Sequence, residues 1–255
     1  MERDALERAV AGHYDRPALL QRIAEGLKAA GIDPNAPELE DLAPVDEFHT
    51  AGRITTLRAL KKLGLSAGMR VLDAGCGIGG TARCIASQHG CRVTGIDLTP
   101  SYVETARDLA RRTGLDDLCT FVHGSVLDMP FADGEFSAAI TLHVAMNIAD
   151  REAFYAELAR VVAPGAPLCV FDVMKGPREG MAYPAPWAET AETSFLKTLQ
   201  ETVALLEAAG FEVTERENLR EFAVAFFDKV FAANKAAGGP PPVGLHLLTG
   251  ANGVE

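Results

Sequence analysis

The apolar positions of this chain follow a helical period in most stretches, and short apolar runs separate several of these stretches. Where apolar residues recur every three to four positions, the spacing predicts an amphipathic helix. The stretches with this spacing are Pro17–Ala30, Thr50–Leu63, Ser101–Thr113, Arg151–Val162, the segment opened by the capping pair Thr198 and Glu201, and Arg220–Ala237. The apolar runs are typical of strands buried on both faces of a parallel sheet. Their alternation with helices predicts an α/β fold with a doubly wound, mostly parallel sheet.

The pattern also divides the chain. We expect an N-terminal helical cap over residues 1–64, and a core over residues 65–255 that carries an insertion at about 174–197. Within the cap, a turn-rich link containing Pro34, Pro37 and Pro44 is expected after the first helix.

Near the C-terminus, Phe211–Asn218 alternates apolar and polar residues and is predicted to be a strand. Either Val243–Leu248 forms a final, reversed strand of the sheet or that strand is missing. We expect it to be missing, which leaves an exposed sheet edge.

The densest cluster of chemical signals lies in Val71–Gly80, followed by Arg92–Asp97. Each run begins as a strand and reaches an acid, Asp73 in the first and Asp97 in the second, and a glycine turn follows the first acid. In a parallel α/β sheet, the carboxyl ends of neighbouring strands form a crevice that binds nucleotides. A helix beginning near Thr81 directs its free N–H groups at this crevice. Asp97 is placed to accept hydrogen bonds from a ribose, so the sequence predicts an adenosine-containing cofactor.

Two glycine patterns overlap in this turn and favour different cofactors. Gly75, Gly77 and Gly80 fit the dinucleotide pattern G-x-G-x-x-G. Asp73 and Gly79 extend the first two glycines to D-x-G-x-G-x-G, with an acid two positions before the first glycine. That acid repels a pyrophosphate and attracts an ammonium group. S-adenosylmethionine carries an ammonium, a carboxylate, a ribose and an adenine, so we predict that it is the cofactor and that S-adenosylhomocysteine is the product.

With these motifs, the chain resembles the class I S-adenosylmethionine-dependent methyltransferases over about residues 65–215. Cys119–Phe131 looks like the third strand and the adenine loop of that family, Phe136–Ala145 like its fourth strand, and Ala163–Val173 like its Pro-Gly turn and fifth strand. Ser125 stands where the family often has Asp, and its hydroxyl would bind the adenine edge more weakly. The cofactor contacts that the resemblance implies are Asp73, Gly75, Gly77, Gly79, Asp97, Leu98, Ser125, Val126 and Leu142.

The resemblance places the methyl-transfer point just beyond the fourth strand, where His143 lies. We take His143 as the catalytic residue, acting either as a general base or, by a small margin in preference, as a residue that shapes the pocket. Met146 and Asn147 share its loop and are expected to contact the acceptor.

Other acceptor contacts are expected from the cap and from the insertion. The segment Glu47–Arg53 resembles the Ile-His-x-Gly segment of methyltransferases that act on sarcosine and dimethylglycine. The segment Gly12–Asp15 resembles a Tyr-containing lid, and the insertion holds the single Trp of the chain, which could stack on a cationic amine. The acceptor contacts that these segments supply are Tyr14, His49, Arg53, Tyr183 and Trp187.

Composition limits the partners. A chain of 255 residues that is 48% hydrophobic can bury one large core, and a net charge of −11 argues against nucleic acid or an acidic membrane as partner. The five cysteines lack metal-ligand spacing, so we expect reduced thiols and no metal site. No signal peptide or membrane span is expected, which predicts a cytoplasmic protein with a small-molecule substrate. A homodimer is left open.

The sequence therefore predicts methyl transfer from S-adenosylmethionine to a small molecule, with an amine such as sarcosine or dimethylglycine as the first candidate acceptor. The alternative within this class is C- or O-methylation of a quinone, a polyketide or another apolar metabolite. A third alternative is an NAD(P)-dependent oxidoreductase, but the Tyr-x-x-x-Lys pair that we would expect is missing, because Ala159 follows Tyr155 at that spacing. A non-catalytic cofactor-binding module also remains open.

Overall fold

The sheet lies at the centre of the computed structural model, which describes residues 2–178 and 180–249. Its five strands are all parallel and are ordered β3-β2-β1-β4-β5. The strands are β1 (Arg70–Ala74), β2 (Arg92–Asp97), β3 (Cys119–His123), β4 (Ala138–Leu142) and β5 (Leu168–Phe171). The strand order reverses between β1 and β4, which opens a crevice at their carboxyl ends. The predicted Rossmann-like parallel fold is confirmed.

Helices cover both faces of this sheet. The helices among the described residues are α1 (Arg3–Tyr14), α2 (Leu19–Ala29), α3 (Leu39–Asp46), α4 (Arg53–Leu60), α5 (Gly80–His89), α6 (Pro100–Arg112), α7 (Arg151–Val161), α8 (Leu199–Ala208), α9 (Arg220–Ala237) and α10 (His246–Thr249). Apolar residues of α4, α5 and α6 form one buried cluster with the strands. Those of α7 and α8 form another. Within the described ranges, none of the helices has the length and apolar character needed to cross a bilayer.

The N-terminal helices pack onto the rest of the chain. Residues of α2 and α3 share a third buried cluster with Tyr102 and Leu109 of α6 and with Leu247 near the C-terminus. A fully buried ion pair between Asp46 of α3 and Arg83 of α5 joins the same two regions. The proposed division at residue 64 stays a prediction, but its two sides share a core.

Two predictions about local structure are wrong. Phe211–Asn218 is not a strand, because β5 pairs only with β4 and offers this segment no ladder. The segment alternates because Phe211 and Val213 pack against the buried cluster that contains the apolar residues of α7 and α8. The link predicted from its prolines contains α3, which begins with a reciprocal capping box between Glu38 and Asp41 and accommodates Pro44.

Several element boundaries also differ from the sequence pattern. The helix predicted over Thr50–Leu63 is shortened to α4, because Ala51 and Gly52 adopt left-handed backbone angles that a helix does not allow. Near the C-terminus, Val243–Leu248 forms no strand and instead enters the short helix α10. Among the described residues, the sheet has no antiparallel strand.

Candidate active site

A cavity of about 1240 Å³ opens at the carboxyl ends of β1, β2 and β4. Pockets for one small ligand usually occupy roughly 300–1,000 Å³, so this cavity has room for a cofactor and a second molecule. It brings together most of the site residues predicted from the sequence. Those that line it are Tyr14, His49, Arg53, Asp73, Gly75, Gly77, Asp97, Leu98, Ser125, Val126, Leu142, His143, Met146, Asn147 and Trp187. Gly79 and Tyr183 do not line it.

Asp73 lies at the end of β1 with its side chain buried against the crevice. Its Oδ2 atom has no hydrogen-bond partner. Burial, and to a smaller extent the nearby Asp97 and Glu47 carboxylates, raise the pKa of this carboxyl to about 8. A buried carboxyl oxygen without a donor is unfavourable unless a ligand supplies one. An ammonium group, such as that of S-adenosylmethionine, would supply both a hydrogen-bond donor to this oxygen and a positive charge beside the carboxylate.

Asp97 at the end of β2 organises the turn across the crevice. One carboxylate oxygen accepts a hydrogen bond from the Gly77 N–H at 2.8 Å, and the other accepts one from the Thr99 N–H at 2.9 Å. Each carboxylate oxygen has two lone pairs, so the side chain still has acceptor capacity toward the cavity. That capacity suits ribose hydroxyls, as the sequence predicts.

The glycines of the turn have different physical roles. A Cβ atom on Gly75 would lie 2.2 Å from a Val144 methyl, so this position needs glycine for the close approach of the β4 loop. Gly79 has a φ of +81°, and a Cβ there would lie 2.7 Å from the Phe121 ring. The structure therefore gives Gly79 a role in starting α5 and in packing, away from the cavity.

Helix α1 covers the loop predicted to hold adenine. The Ser125 hydroxyl donates to the Glu7 carboxylate at 2.6 Å and accepts from the Leu127 N–H at 3.1 Å. The donor of Ser125 is therefore already used within the protein. A hydrogen bond from Ser125 to adenine stays a prediction, and it would require Glu7 to release the hydroxyl.

His143 directly follows β4 in a left-handed conformation, with a φ of +53°. Its N–H donates to the Phe171 carbonyl at 2.7 Å, and the next two N–H groups donate to the Asp172 carboxylate, which the sequence analysis did not select. The ring lies 5.0 Å from the Phe171 ring and 5.9 Å from the His49 ring, between centroids. Burial, and to a smaller extent a positive charge on the His49 ring when that ring is protonated, lower the pKa of His143 to about 3. The imidazole is therefore neutral near pH 7.

We expect His143→Gln to keep most of the maximal rate and to change mainly the acceptor KM, because a neutral ring on the cavity wall shapes the pocket. Since its pKa is about 3, His143 should add no step in activity near the usual histidine pKa of about 6.5. Steady-state kinetics of both proteins from pH 5 to 8 measure this. A roughly hundredfold loss of rate in the glutamine variant, together with loss of a step near pH 6.5, would identify His143 as a general base instead.

A polar cluster stands beside His143 on the cap side of the cavity. The Glu47 carboxylate is almost completely buried and accepts hydrogen bonds from the His49 Nε2 at 2.8 Å, from the Thr56 hydroxyl at 2.6 Å and from the Arg53 guanidinium. His49 and Arg53 were predicted from the sequence to lie in the site and Glu47 was not, although its Glu-x-His spacing to His49 is present in the sequence. Among the residues that the structure describes, no three His, Cys, Asp or Glu side chains converge to hold a metal ion.

Hydrogen bonds join three of the residues that were predicted to contact the acceptor, namely Tyr14, Asn147 and Trp187. The Tyr14 hydroxyl donates to the Asn147 side-chain carbonyl at 2.8 Å, and the Asn147 amide donates to the Trp187 carbonyl at 2.8 Å and the Thr193 carbonyl at 2.9 Å. These bonds use both N–H donors of the amide and one lone pair of its oxygen, so Asn147 ties α1 to the insertion. Tyr183 packs in the small cluster of Trp187, behind the wall.

Helix α9 forms the remaining wall, which was not predicted from the sequence. It has no buried side chain, although apolar residues cover one side of it. The residues that it presents to the cavity include Val224, Phe226, Phe227, Val230 and Phe231. The rings of Phe227 and Phe231 are stacked. The helical spacing of the aromatic residues in the sequence indicated that this helix has an apolar face, but it did not indicate that this face borders the cavity.

Comparison with known proteins agrees with this geometry. A family model described as a methyltransferase domain matches residues 72–170. Methyltransferase GfsG from Streptomyces halstedii is 29% identical over 222 residues, which cover 86% of this chain and 78% of that protein. 24-Methylenesterol C-methyltransferase 3 from Arabidopsis thaliana is 29% identical over 185 residues, which cover 66% of this chain and 49% of that protein.

Among solved structures, Haemonchus contortus phosphoethanolamine N-methyltransferase 2 in complex with S-adenosyl-L-methionine superposes with a TM-score of 0.71. The sequences are 18% identical, and the match covers 90% of this chain and 50% of that one. At this identity the likeness concerns the fold.

Proposed function

We propose that the acceptor of this S-adenosylmethionine-dependent methyltransferase is a metabolite with a large apolar body, methylated on a hydroxyl oxygen. The observation that carries the proposal is the aromatic wall of α9. Phe227 and Phe231 lie on the cavity wall and remain 36% and 49% exposed. Exposed phenylalanines beside a large cavity are stabilised when an apolar ligand covers them.

The charges on the cavity wall support the same class of acceptor. In the described part of the chain, its permanently cationic side chains are Arg3 and Arg53. Arg3 lies 3.4 Å from the Glu7 carboxylate, and Arg53 contacts the carboxylates of Glu47, Asp46 and Glu40. Sarcosine and dimethylglycine carry a carboxylate, which would need a cationic side chain that is not already paired with carboxylates of the protein. These two amino acids are therefore less well supported as acceptors than an uncharged apolar molecule.

The chain's own residues perform the tasks that methyl transfer requires. S-adenosylmethionine, when bound, supplies a methyl group activated by its sulfonium. Asp73 and Asp97 would hold its ammonium and ribose ends, and the loop at His143 shapes the place where the acceptor oxygen must be aligned. Helices α1 and α9 cover the cavity and reduce its contact with water, which favours a displacement that depends mainly on positioning.

Transfer of labelled methyl from S-adenosylmethionine to a series of 4-alkylphenols of increasing chain length, with sarcosine alongside, tests this proposal. We expect KM to fall as the alkyl chain grows. Phe227→Ala should raise KM for the longest phenol by about tenfold or more, because a buried phenylalanine contributes about 1.5–3 kcal/mol.

Phe222→Ala is the matched control. Phe222 lies on α9 and is equally exposed, but it does not line the cavity, so its removal should leave KM unchanged. The affinity for S-adenosylhomocysteine should be the same in both variants. Faster methylation of sarcosine than of every phenol, or a KM independent of chain length, would contradict the apolar acceptor.

A further inference from the structure

The buried cluster around Glu47 has a defined arrangement of protons. The Thr56 hydroxyl has a single proton, and at 2.6 Å from the ionised Glu47 carboxylate it donates there. Its oxygen, 2.9 Å from His49 Nε2, must then accept. The same nitrogen lies 2.8 Å from the Glu47 carboxylate, which can only accept. Both contacts require that His49 Nε2 carries a proton.

The other ring nitrogen of His49 is not similarly occupied. Its Nδ1 lies 3.5 Å from the Thr50 carbonyl oxygen, beyond the usual hydrogen-bond range of about 2.7–3.2 Å. In the neutral imidazole with its proton on Nε2, Nδ1 carries the lone pair. The cluster thus holds one histidine nitrogen as a donor to a carboxylate and leaves the other able to accept a proton.

His49 also stands in the right part of the cavity. It lines the cavity wall, and its ring lies edge-on to that of His143, the residue at the carboxyl end of β4. Glu47 and Thr56 behind it are almost fully buried, so solvent does not compete for the carboxylate.

From this arrangement we propose that His49 accepts the proton of the acceptor hydroxyl, and that Glu47 is the positioning residue that fixes its tautomer and stabilises its charged form. The inference rests on the proposed hydroxyl acceptor. In the step, the O–H proton moves to Nδ1 and an oxygen lone pair forms the new bond to the methyl carbon. The electrons of the breaking carbon–sulfur bond stay on sulfur, which becomes a neutral thioether. The imidazolium next to Glu47 later releases its proton to water.

The tautomer is measurable without turnover. Nitrogen-15 NMR of histidine-labelled protein bound to S-adenosylhomocysteine distinguishes a protonated from an unprotonated ring nitrogen, and a His49→Gln variant assigns the signals among the six histidines. At a pH where His49 is neutral, we expect its proton on Nε2. A proton on Nδ1 would overturn the proposal, because that nitrogen could not then take the substrate proton.

The kinetic test compares two phenols. At about pH 8, 4-butylphenol keeps its proton, whereas 4-nitrophenol is largely ionised and needs no base. We expect Glu47→Gln to lower kcat for 4-butylphenol by about 10²-fold or more and to change kcat for 4-nitrophenol little. The dissociation constant of S-adenosylhomocysteine should remain within about twofold of that of the parent.

Glu40→Gln is the matched control, because Glu40 pairs with the same Arg53 but is exposed and does not touch His49. It should leave both rates unchanged. An equal loss for both phenols in Glu47→Gln, accompanied by weaker cofactor binding, would show that Glu47 only maintains the fold. If 4-butylphenol is methylated equally well by parent and variant, the role of Glu47 fails while the proposed function stands. If neither phenol is methylated, the proposed function fails, and the NMR result still decides the proton arrangement.

Discussion

Replacing Arg83 with methionine is expected to lower the free energy of unfolding by about 3–5 kcal/mol. The change leaves the buried Asp46 carboxylate without its hydrogen-bonded partner, and the Arg53 guanidinium, 3.8 Å away, is the cation that remains beside it. Both side chains of this ion pair are completely buried, and Arg83 also donates to the Ile78 carbonyl at 2.7 Å. Even with Arg83 present, burial raises the pKa of Asp46 to about 6. The native state of the variant should hold the Asp46 proton up to a still higher pH. The loss should therefore be smaller at pH 5 than at pH 8.

Urea unfolding of the parent, of Arg83→Met and of two further variants measures this effect. Arg58→Met removes an exposed partner of Glu217 and should change stability little. The double variant Arg83→Met with Asp46→Leu removes both charges and should recover much of the loss. If the single and double variants are equally destabilised, the cost arises from lost packing and not from the unpaired carboxylate.

The second large effect is expected at the two acids of the crevice. Asp97→Ala should weaken S-adenosylmethionine binding by about 1.5–3 kcal/mol, because charge-assisted hydrogen bonds to the ribose are lost. Asp73→Asn should also weaken it, since the ammonium loses its counter-charge. Calorimetric titration with S-adenosylmethionine measures both affinities. Binding by both variants at the parental affinity would refute the placement of the cofactor.

The pH dependence distinguishes the two acids. The pKa of Asp73 is raised to about 8, so below that pH the free protein carries a proton there that an ammonium must displace. Cofactor affinity should rise with pH by up to about tenfold per unit between pH 6 and 7.5, and proton release should be visible in buffers of different ionisation enthalpy. Asp73→Asn should abolish this release, and Asp97→Ala should retain it. A parent protein that binds without releasing a proton would contradict the raised pKa.

The crevice was predictable because its parts are local. Asp73 and the glycine turn lie within a few residues of one another, and Asp97 ends the next strand of a parallel sheet. Strand period, glycine turns and helix starts depend on short-range sterics and hydrogen bonding, which a linear pattern records. The same reasoning failed at Phe211–Asn218, because a strand needs a partner that only the assembled sheet can provide.

What each side chain can do was decided by the tertiary structure. The sequence by itself determined the α/β class, the cofactor crevice and the position of His143 beyond β4. Only packing made that histidine neutral, joined Tyr14 to Asn147, brought Glu47 behind His49 and turned the phenylalanines of α9 toward the cavity. Burial, charge pairing and the direction of a helix face depend on residues far apart in the chain. For that physical reason, they exist only once the chain has folded.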